Sequence, residues 1–327
     1  MSQKPPLSVI MLTYNRENLV GRAVESILGQ TFPDFEFIIV NNGSTDRSGD
    51  ICRQYAARDS RLRVVDRAGG NIGSGRNAGL DLARGEFIKF IDDDDAAYPD
   101  MLEFLYGLAR DHQADIAVCG STKIENGQVL PNQVFDELLV MTPEEAVVEL
   151  LKRYRINSSN PCKLFRNTLF QRVRYVEDGD YDDIFVIYKL FAEAGKVAAH
   201  GRPKYHFYRH ESNNSGFTTN DALLTPAQLD EYYRAFRERT EYLSARRPAI
   251  ADYARYSEWS YMISMCNKII KNSLEPCRAQ LDHARACLLE NFDEFYNSPH
   301  TQQFEREYMD RYITPHRSAA AKGGGRV

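Results

Sequence analysis

The sequence of 327 residues lacks long apolar runs, cysteines spaced as CxxC, and an excess of positive charge. No stretch approaches the roughly 20 apolar residues that a membrane-spanning helix needs, and the polar start Met1–Pro6 does not resemble a secretory leader. The six cysteines are scattered, so neither disulfides nor a zinc cluster is expected. These absences predict a cytoplasmic protein. Peripheral contact with the inner face of the cell membrane stays open, because an enzyme that docks on a membrane surface needs no spanning helix.

Charge and composition narrow the class of protein further. A formal net charge of -5 argues against a nucleic-acid binder that relies on a basic surface, so no nucleic-acid partner is expected. The hydrophobic share of 43% and the charged share of 27% are those of an ordinary globular protein. A chain of this length has room for one large domain, or for a larger and a smaller domain together.

The N-terminal third of the chain alternates apolar β-rich runs with helical stretches. Such repeated β-α-β units predict an α/β fold with a mostly parallel central sheet flanked by helices. In open sheets of this kind ligands bind beyond the carboxyl ends of the strands, so the polar residues after each run are candidates for a site. The β-rich runs are Leu7–Thr13, Phe35–Asn41, Leu62–Asp66 and Phe87–Ile91, and the helical stretches are Leu19–Leu28, Asp46–Arg58 and Gly75–Ala83.

The pattern changes near residue 222, where long helical stretches rich in aromatic residues replace the strand signals. We expect residues 1–221 to form the α/β domain, 222–314 an all-helical C-terminal module, and 315–327 a disordered tail. Aromatic residues at helical spacing usually pack in a core, but here they could also support acceptor recognition, membrane docking or a homo-oligomer. Within the first domain, Asn126-Gly127 predicts a hairpin turn, and Thr142-Pro143-Glu144-Glu145 predicts the start of a helix.

Four consecutive acids, Asp92–Asp95, follow the apolar run that ends in Phe90-Ile91. Such a cluster repels itself unless a cation is present, and hard divalent cations prefer carboxylate oxygens together with substrate phosphates. In an extended segment Asp92 and Asp94 point the same way, so one or both could reach an ion. The pattern therefore indicates a metal–diphosphate site, although a solvated acidic loop would give the same sequence.

Two other strand ends carry groups suited to a nucleotide. After the first run, in Thr13-Tyr14-Asn15-Arg16, Tyr14 could flank a base while Asn15 and the next helix start supply donors. After the second run, in Asn41-Asn42-Gly43-Ser44-Thr45-Asp46, two amides could read the edge of a base. Helix capping alone would explain the first motif, and it would explain Ser44 and Asp46 in the second.

A glycine-rich turn, Asn71-Ile72-Gly73-Ser74-Gly75-Arg76-Asn77-Ala78-Gly79, opens the third helical stretch. Backbone N–H groups at such a turn can face an anion, and Arg76 could add charge for a phosphate or an acidic neighbour. Turns of the GxG kind are common, so this motif is informative only together with the others.

With these four motifs in this order on these strand ends, the chain resembles the inverting family-two glycosyltransferases of the GT-A fold, over residues 7 to about 215. The resemblance implies a Rossmann-like GT-A domain, to which the helical module is added, a nucleotide-diphosphate sugar as donor, and Mn²⁺ or Mg²⁺ as cofactor. Asp92 and Asp94 match the DxD metal motif of the family, with Asp94 the better candidate for a direct ligand. The positions expected on the nucleotide sugar are Thr13, Tyr14, Asn15, Arg16, Asn42, Arg76, Asp92 and Asp93.

The resemblance continues in the second half of this domain. The segment from Asn160 to Arg166, with Lys163, is similar to the family's NKLFR segment on the acceptor side. Asp182-Asp183-Ile184-Phe185 with the following Tyr188-Lys189-Leu190-Phe191 resembles its ED…F…YKL segment, so Asp183 takes the position of the catalytic base and Asp182 lies beside it on the acceptor side. The segment from Tyr205 to His210 is similar to one whose basic residues approach the diphosphate. This similarity implies donor contact for Arg209 and metal contact for His206 or, alternatively, His210; we take His206.

The function implied by the resemblance is transfer of a sugar to a hydroxyl of a glycan or lipid-linked oligosaccharide, in one inverting displacement with Asp183 as general base. The family usually has an aspartate where this chain has Asn42, and an asparagine leaves uracil and cytosine open, with UDP as the default. One alternative is a nucleotidyltransferase that makes sugar nucleotides, although Leu12–Arg16 is not the glycine- and lysine-rich loop that it would need. The other is a catalytically inactive glycan- or nucleotide-binding module that acts through its helical part.

Overall fold

The computed structural model describes residues 4–210 and 220–317. The chain divides into two compact units, residues 1–210 and residues 211–327. The predicted domain boundary after residue 221 stays a prediction, because residues 211–219 lie outside the described part. Residues 318–327 of the predicted disordered tail also lie outside it, whereas residues 315–317 of that tail are helical.

The first unit begins with four parallel strands, as the apolar runs predict. They are β1 (Leu7–Thr13), β2 (Phe35–Asn41), β3 (Leu62–Asp66) and β4 (Phe87–Asp92), and they lie in the order β3-β2-β1-β4. Almost every residue of β1 and β2 is buried, as expected for parallel strands that helices cover on both faces. The connecting helices are α1 (Val20–Leu28), α2 (Ser48–Ala56) and α3 (Ile72–Leu82).

Six further strands extend this sheet beyond β4. They are β5 (Ala96–Ala97), β6 (Ile116–Glu125), β7 (Gln128–Gln133), β8 (Leu138–Met141), β9 (Lys163–Arg166) and β10 (Val197–Tyr208). The full order is β3-β2-β1-β4-β9-β6-β10-β5, with β7 pairing β6 and β8 pairing β10. Strand β9 is antiparallel to both β4 and β6, so it starts beside the carboxyl end of β4. The predicted hairpin turn joins β6 and β7, with φ of 50° at Asn126 and 75° at Gly127.

Three more helices complete the first unit. They are α4 (Met101–Asp111), α5 (Pro143–Lys152) and α6 (Asp183–Glu193). Helix α5 begins as predicted, because Thr142 and Glu145 form a capping box and Pro143 occupies the first helical position. Helix α6 begins at Asp183, so this carboxylate lies in the first turn of the helix.

In the described residues of the second unit, 220–317, the regular secondary structure is helical. The α-helices are α7 (Pro226–Arg246), α8 (Ala251–Lys271), α9 (Arg278–Glu290), α10 (Phe292–Tyr296) and α11 (Gln303–Tyr312). The aromatic residues Tyr232, Phe236 and Tyr261 of α7 and α8 pack against each other, and Trp259 packs against Phe295. Across both described ranges, no helix combines the length and apolar character needed to cross a membrane.

Candidate active site

The acids Asp92–Asp95 lie at the carboxyl end of β4 and in the turn that follows. Burial and the charge of Asp94 raise the pKa of Asp93 to about 7. Burial also raises the pKa of Asp92, although the Arg76 guanidinium opposes this effect. Asp95 is buried, its pKa lies well above the ordinary value because of burial and the charge of Asp94, and its Oδ1 accepts a hydrogen bond from the Tyr208 N–H at 2.8 Å. Four carboxyl groups are thus crowded at one strand end, and burial and mutual repulsion favour the neutral form of Asp92, Asp93 and Asp95.

A histidine reaches this acidic turn, and it is His210. Its Nε2 lies 3.0 Å from Oδ2 of Asp94. The imidazole of His206 instead stacks on Tyr98, with ring centroids 4.1 Å apart, and its Nδ1 lies 2.7 Å from the Thr122 hydroxyl. His206 lies within β10, where Tyr98 and Thr122 contact its imidazole. His210 lies beyond the end of the strand. The geometry therefore favours the alternative, His210, over His206 as the histidine beside the DxD carboxylates.

Arg76 joins two acidic segments that are distant in the chain. Its Nε donates to Oδ2 of Asp182 at 2.6 Å, and its Nη2 lies 3.4 Å from Oδ1 of Asp92. The residue is 7% exposed, and its guanidinium lies over the rings of Phe90 and Tyr175. Burial opposes the positive charge, but the two carboxylates hold the pKa of Arg76 well above its ordinary value. The acids after β4 and those at the start of α6 therefore belong to one site.

Asp183 lies next to this ion pair and accepts two hydrogen bonds from Asn160. The main-chain N–H of Asn160 is 3.3 Å from Oδ2, and the side-chain amide donates to Oδ1. Burial and the charge of Asp182 raise the pKa of Asp183 well above its ordinary value, while Arg76 and Lys163 act in the opposite direction. This carboxylate thus lies among charged groups that control whether it is ionised.

The two basic residues predicted on either side of the site make different contacts. Lys163 is completely buried in β9, and its Nζ donates to the carbonyl of Ser159 at 2.5 Å. Burial lowers the pKa of Lys163 to about 8, so the amine remains mostly charged at neutral pH. Arg209 follows β10, and its main-chain N–H donates to the carbonyl of Ile124 at 2.8 Å. Lys163 therefore stabilises the main chain at Ser159 through its buried amine.

The motif after β1 lies against the acidic turn. Tyr14 is 56% exposed, and its N–H lies 3.4 Å from Oδ2 of Asp93. The Nε of Arg16 lies 3.7 Å from Oδ1 of the same carboxylate. Asn15 has a φ of 52°, and its side-chain oxygen accepts from the Thr45 N–H at 2.8 Å. The ring of Tyr14 is thus available to a ligand, whereas the Asn15 amide links two loops.

The motif after β2 holds the Asn42 amide in one orientation. The Asn42 N–H donates to the carbonyl of the buried Thr13 at 2.9 Å, which aligns the ends of β1 and β2. In the side chain, Oδ1 accepts from Nη1 of Arg67 at 3.1 Å and Nδ2 donates to the carbonyl of Gly70 at 2.7 Å. Because one partner is a donor and the other an acceptor, the oxygen and nitrogen of this amide cannot be exchanged.

The glycines of the turn before and within α3 allow close packing. A Cβ on Gly73 would lie 1.9 Å from the carbonyl oxygen of Val176, and a Cβ on Gly75 would lie 2.3 Å from Cδ1 of Leu12. The motif therefore brings α3 against β1 and against the segment before α6. This approach places Arg76 between the two acidic segments.

Three residues near the site have no role of their own among the sequence predictions, although Asn160 begins the segment that resembles NKLFR. Arg22 in α1 donates to the carbonyl of Asp94, and its guanidinium lies 3.5 Å above the ring of Tyr208. Arg67 orients Asn42, and Asn160 contacts Asp183. An arginine beside the apolar face of α1 is a weak signal for the first of these. The other two depend on chain segments that meet only in the folded protein.

The four parallel strands, with acids directly after β4, agree with the GT-A fold that the resemblance implies. The sequence model for glycosyl transferase family 2 matches residues 8–174, and the chain belongs to that family.

The relatives include proteins whose names describe glycosyltransferases. The uncharacterized glycosyltransferase EpsJ of Bacillus subtilis (strain 168) is 33% identical over 230 residues, which are 64% of this chain and 62% of EpsJ. The poly(ribitol-phosphate) beta-N-acetylglucosaminyltransferase TarS of Staphylococcus aureus (strain MW2) is 27% identical over 237 residues, 70% of this chain and 39% of TarS. The chain thus matches less than two thirds of the length of either relative.

Among solved structures, S. aureus TarS 1-349 in complex with UDP-GlcNAc has a TM-score of 0.69 and 22% identity, with 97% of this chain and 92% of that chain covered. This structural likeness establishes the fold.

Proposed function

We propose that this chain transfers a sugar from a nucleotide-diphosphate donor to a hydroxyl of a glycan or lipid-linked oligosaccharide. The observation that carries the proposal is the contact of one buried guanidinium, that of Arg76, with carboxylates from both acidic segments. Such a reaction needs a base for the attacking hydroxyl and opposite charge at the leaving diphosphate. Asp183 supplies the base, and the turn after β4 is the place for the diphosphate.

A UDP-sugar is the donor of first choice. The support is the likeness to TarS, whose structure contains UDP-GlcNAc. Asn42 does not decide between bases by itself. Its partners leave one lone pair on Oδ1 and one N–H on Nδ2, which could meet N3 of uracil or of cytosine. The exposed ring of Tyr14 and the guanidinium of Arg16 are the other donor-side groups that we assign to the nucleotide sugar.

A divalent cation, Mn²⁺ or Mg²⁺, fits the residues at the carboxyl end of β4. The carboxylates of Asp92 and Asp94 offer the oxygen ligands that hard cations prefer. In residues 4–210 and 220–317, no three His, Cys, Asp or Glu side chains are grouped so that they could hold a metal ion. An ion bound here would therefore need oxygens from the diphosphate and from water, as Mg²⁺ commonly does at substrate phosphates. When bound, it neutralises charge on the leaving diphosphate.

In the proposed reaction Asp183 accepts the proton of the acceptor hydroxyl while the hydroxyl oxygen attacks the anomeric carbon. The bond from that carbon to the diphosphate oxygen breaks on the opposite face, so one displacement inverts the anomeric centre. Asp183 must be ionised, and the charges of Arg76 and Lys163 favour that form. Arg209 is assigned to the diphosphate side. Membrane contact and self-association through the C-terminal helices stay predictions.

Family membership and a measurement of turnover distinguish the proposed function from its two alternatives, a nucleotidyltransferase and an inactive binding module. Membership of glycosyltransferase family 2 disfavours a nucleotidyltransferase. A catalytically inactive binding module would bind a nucleotide or a glycan without turnover. It would also have no need for a carboxylate held beside Arg76 at the start of α6.

Replacement of Asp183 by Asn tests the base. We expect sugar transfer to fall by about 100-fold or more, the usual contribution of a general base, because an amide cannot accept the proton. Affinity for UDP with Mn²⁺, measured by titration calorimetry, should stay unchanged, whereas Asp94→Ala should weaken it. The activity measurement is UDP release after a thermal-shift screen of nucleotide sugars has identified the donor.

Asp81→Asn is the matched control, because Asp81 is a surface acid of α3 whose side chain is 67% exposed and pairs with Arg174. This variant should keep wild-type turnover and wild-type affinity for UDP. Full turnover in Asp183→Asn would remove Asp183 from the role of base. Absence of turnover in the wild type with every nucleotide sugar that binds would favour the inactive module.

A further inference from the structure

Asn160 donates to both oxygens of the Asp183 carboxylate. Its main-chain N–H is 3.3 Å from Oδ2, and its Nδ2 donates to Oδ1. Its Oδ1 accepts from the hydroxyl of Tyr175 at 2.6 Å, and its carbonyl accepts from the N–H of Lys163 at 3.0 Å. Asn160 is completely buried, so solvent does not compete for these contacts. Asn160 is thus positioned by Tyr175 and Lys163 and in turn contacts the carboxylate of Asp183.

Two buried ammonium groups hold the main chain on either side of Asn160. Lys163 donates through Nζ to the carbonyl of Ser159 at 2.5 Å, and Lys89 donates to the carbonyl of Pro161. Burial lowers the pKa of each lysine to about 8, so both are mostly charged at neutral pH. Hydrogen bonds from charged donors are the strong ones, and a shift of this segment would leave a buried charge without its partner. The position of Asn160 is therefore fixed.

Tyr175 determines which end of the Asn160 amide faces Asp183. A phenol that donates to Oδ1 requires that Nδ2 point toward the carboxylate. Burial raises the pKa of Tyr175 well above its ordinary value, so the hydroxyl keeps its proton. The ring packs edge-on against Phe90, with centroids 5.5 Å apart, and a phenylalanine at 175 would keep this packing.

We propose that Asn160 is the positioning residue for Asp183 and that Tyr175, Lys89 and Lys163 hold it in place. This inference rests on the proposed function, in which Asp183 accepts the proton of the acceptor hydroxyl. A carboxylate has about four acceptor positions, and Asn160 occupies one on each oxygen. The remaining positions are left for the hydroxyl. The base thus meets the acceptor in one orientation.

The main-chain N–H and the side-chain amide of Asn160 also favour the ionised form of Asp183. The charged and titratable groups that face Asp183 are Asp182, Asp92, Arg76, Lys163 and Tyr175. Burial and the two aspartates raise the pKa of Asp183, and Arg76 and Lys163 lower it. Hydrogen bonds to the charged form lower a pKa, so loss of the Asn160 amide should raise that of Asp183. A base with a raised pKa is less ionised at a given pH, so the acidic limb of the rate profile should move to higher pH.

The test uses the full chain with Asn160→Ala, Tyr175→Phe and, as matched control, Asn157→Ala. Asn157 lies in the same loop, where its Oδ1 accepts from the Ser159 N–H at 3.0 Å. The first measurement is a pH titration of the carboxyl carbon of Asp183 by NMR in protein labelled at its aspartates, with the resonance identified by its absence in Asp183→Asn. The second is the pH profile of UDP release from UDP-GlcNAc with Mn²⁺, with kcat and KM determined separately.

We expect Asn160→Ala to raise the pKa of Asp183 by about one unit or more, a tenfold loss of ionised base at fixed pH. The variant should lower kcat with little change in the KM for donor. Tyr175→Phe should give a smaller shift in the same direction, and Asn157→Ala should give none. If Asn160→Ala does not fold, the pKa of Asp183 in Tyr175→Phe tests the proposal instead.

An unchanged pKa of Asp183 in the folded Asn160 and Tyr175 variants overturns the inference, even if turnover is lost. A shift of equal size in the Asn157 control overturns it as well, because the effect would then come from the loop as a whole. Failure of the proposed function has a different signature, which is full turnover in Asp183→Asn. The two failures are therefore distinguishable.

Discussion

The contacts of Arg76 indicate a structural role beside the donor contact that the family resemblance implies. The resemblance assigns it to the donor, but in the structure its guanidinium contacts the carboxylates of Asp182 and Asp92. Removal of one partner from a buried ion pair is costly because the other charge stays buried without compensation. A substitution of Arg76 should therefore affect the stability of the site before it affects any contact with a substrate.

Arg76→Ala should lower the free energy of unfolding by about 3–5 kcal/mol, the typical effect of breaking a buried pair. The matched control is Arg53→Ala, because Arg53 contacts Asp50 and Asp66 but its side chain is 50% exposed. Exposed pairs contribute about 0–1 kcal/mol, so the control should unfold nearly like the wild type. Urea unfolding of both variants gives the comparison. Equal losses in the two variants would mean that burial adds nothing to the Arg76 pair.

At the scale of elements, helix α3 carries the packing that brings the acidic segments together. Gly73 lets the carbonyl of Val176 approach the helix, and Gly75 lets Leu12 of β1 approach it. The side chain of Asn77, further along α3, donates to the carbonyl of Tyr175 at 2.9 Å. Packing of α3 thus fixes the segment that carries Tyr175 and precedes α6.

Gly73→Ala should destabilise the protein by about 1–3 kcal/mol, as overpacking does, because a backbone carbonyl cannot move aside as a flexible side chain can. Gly107→Ala in α4 is the matched control, since a Cβ there has no atom within 4 Å. Alanine is the better helix former by about 1 kcal/mol, so the control should be neutral or slightly more stable. Thermal unfolding of the two variants measures the difference. If Gly73→Ala were as stable as the control, the carbonyl of Val176 could move away from the added methyl group at little cost, and the close contact would not matter for stability.

How far the sequence predicts these elements depends on where each element's partners lie. Strands β1 to β4 follow from apolar runs, because a parallel strand covered on both faces is apolar along its length. No apolar run marks β9, because this strand has only four residues, begins with the buried Lys163, and pairs with the distant strands β4 and β6. The glycines of α3 predict a turn for an anion, but their close contacts come from β1 and from residue 176.

The candidate site shows the same division. The acids Asp92–Asp95 stand out in the sequence because four charges in a row after an apolar strand are unusual. Asn160 begins the segment that resembles NKLFR, but its contact with Asp183 gives no signal in the sequence, since the two residues lie 23 positions apart. The amide of Asn41 donates to Asp66 at 2.7 Å, whereas that of Asn42 donates to the carbonyl of Gly70 at 2.7 Å. Adjacent amides look alike in a sequence, and only their partners separate Asn42 from Asn41.

At the scale of the whole first unit, the pKa values of acids shift in opposite directions at the two ends of the parallel strands. At the carboxyl ends, carboxylates are gathered beside each other and the pKa of Asp93 is raised to about 7 by burial and the charge of Asp94. Near the start of β2, the buried Glu36 has a donor for each oxygen. Oε1 accepts from the Ser8 hydroxyl at 2.6 Å, and Oε2 accepts from the Arg84 guanidinium at 2.9 Å. The acids at the carboxyl ends repel each other, whereas the carboxylate of Glu36 is stabilised by its donors.

The pH dependence of stability should reveal this second arrangement. Burial alone would raise the pKa of Glu36, but the hydrogen bonds from Ser8 and Arg84 outweigh it, so the pKa is lowered. A lowered pKa means that the stabilisation is complete above the unfolded value of about 4.3 and is lost as the pH falls through the folded value. At pH 7, Glu36→Gln should therefore be less stable than the wild type by about 1.5–3 kcal/mol, the range for a hydrogen bond to a charged group. This difference should shrink below about pH 4, where the wild-type carboxylate becomes protonated.

The measurement is urea unfolding of both proteins between neutral and acidic pH. Glu125→Gln serves as the control, because Glu125 pairs with Lys123 on the surface with a side chain that is 44% exposed. A surface pair contributes little, so the control should follow the wild type at every pH. A difference between Glu36→Gln and the wild type that stayed constant into the acidic range would contradict the assignment, because it would show that Glu36 stabilises the sheet by packing and not by its charge.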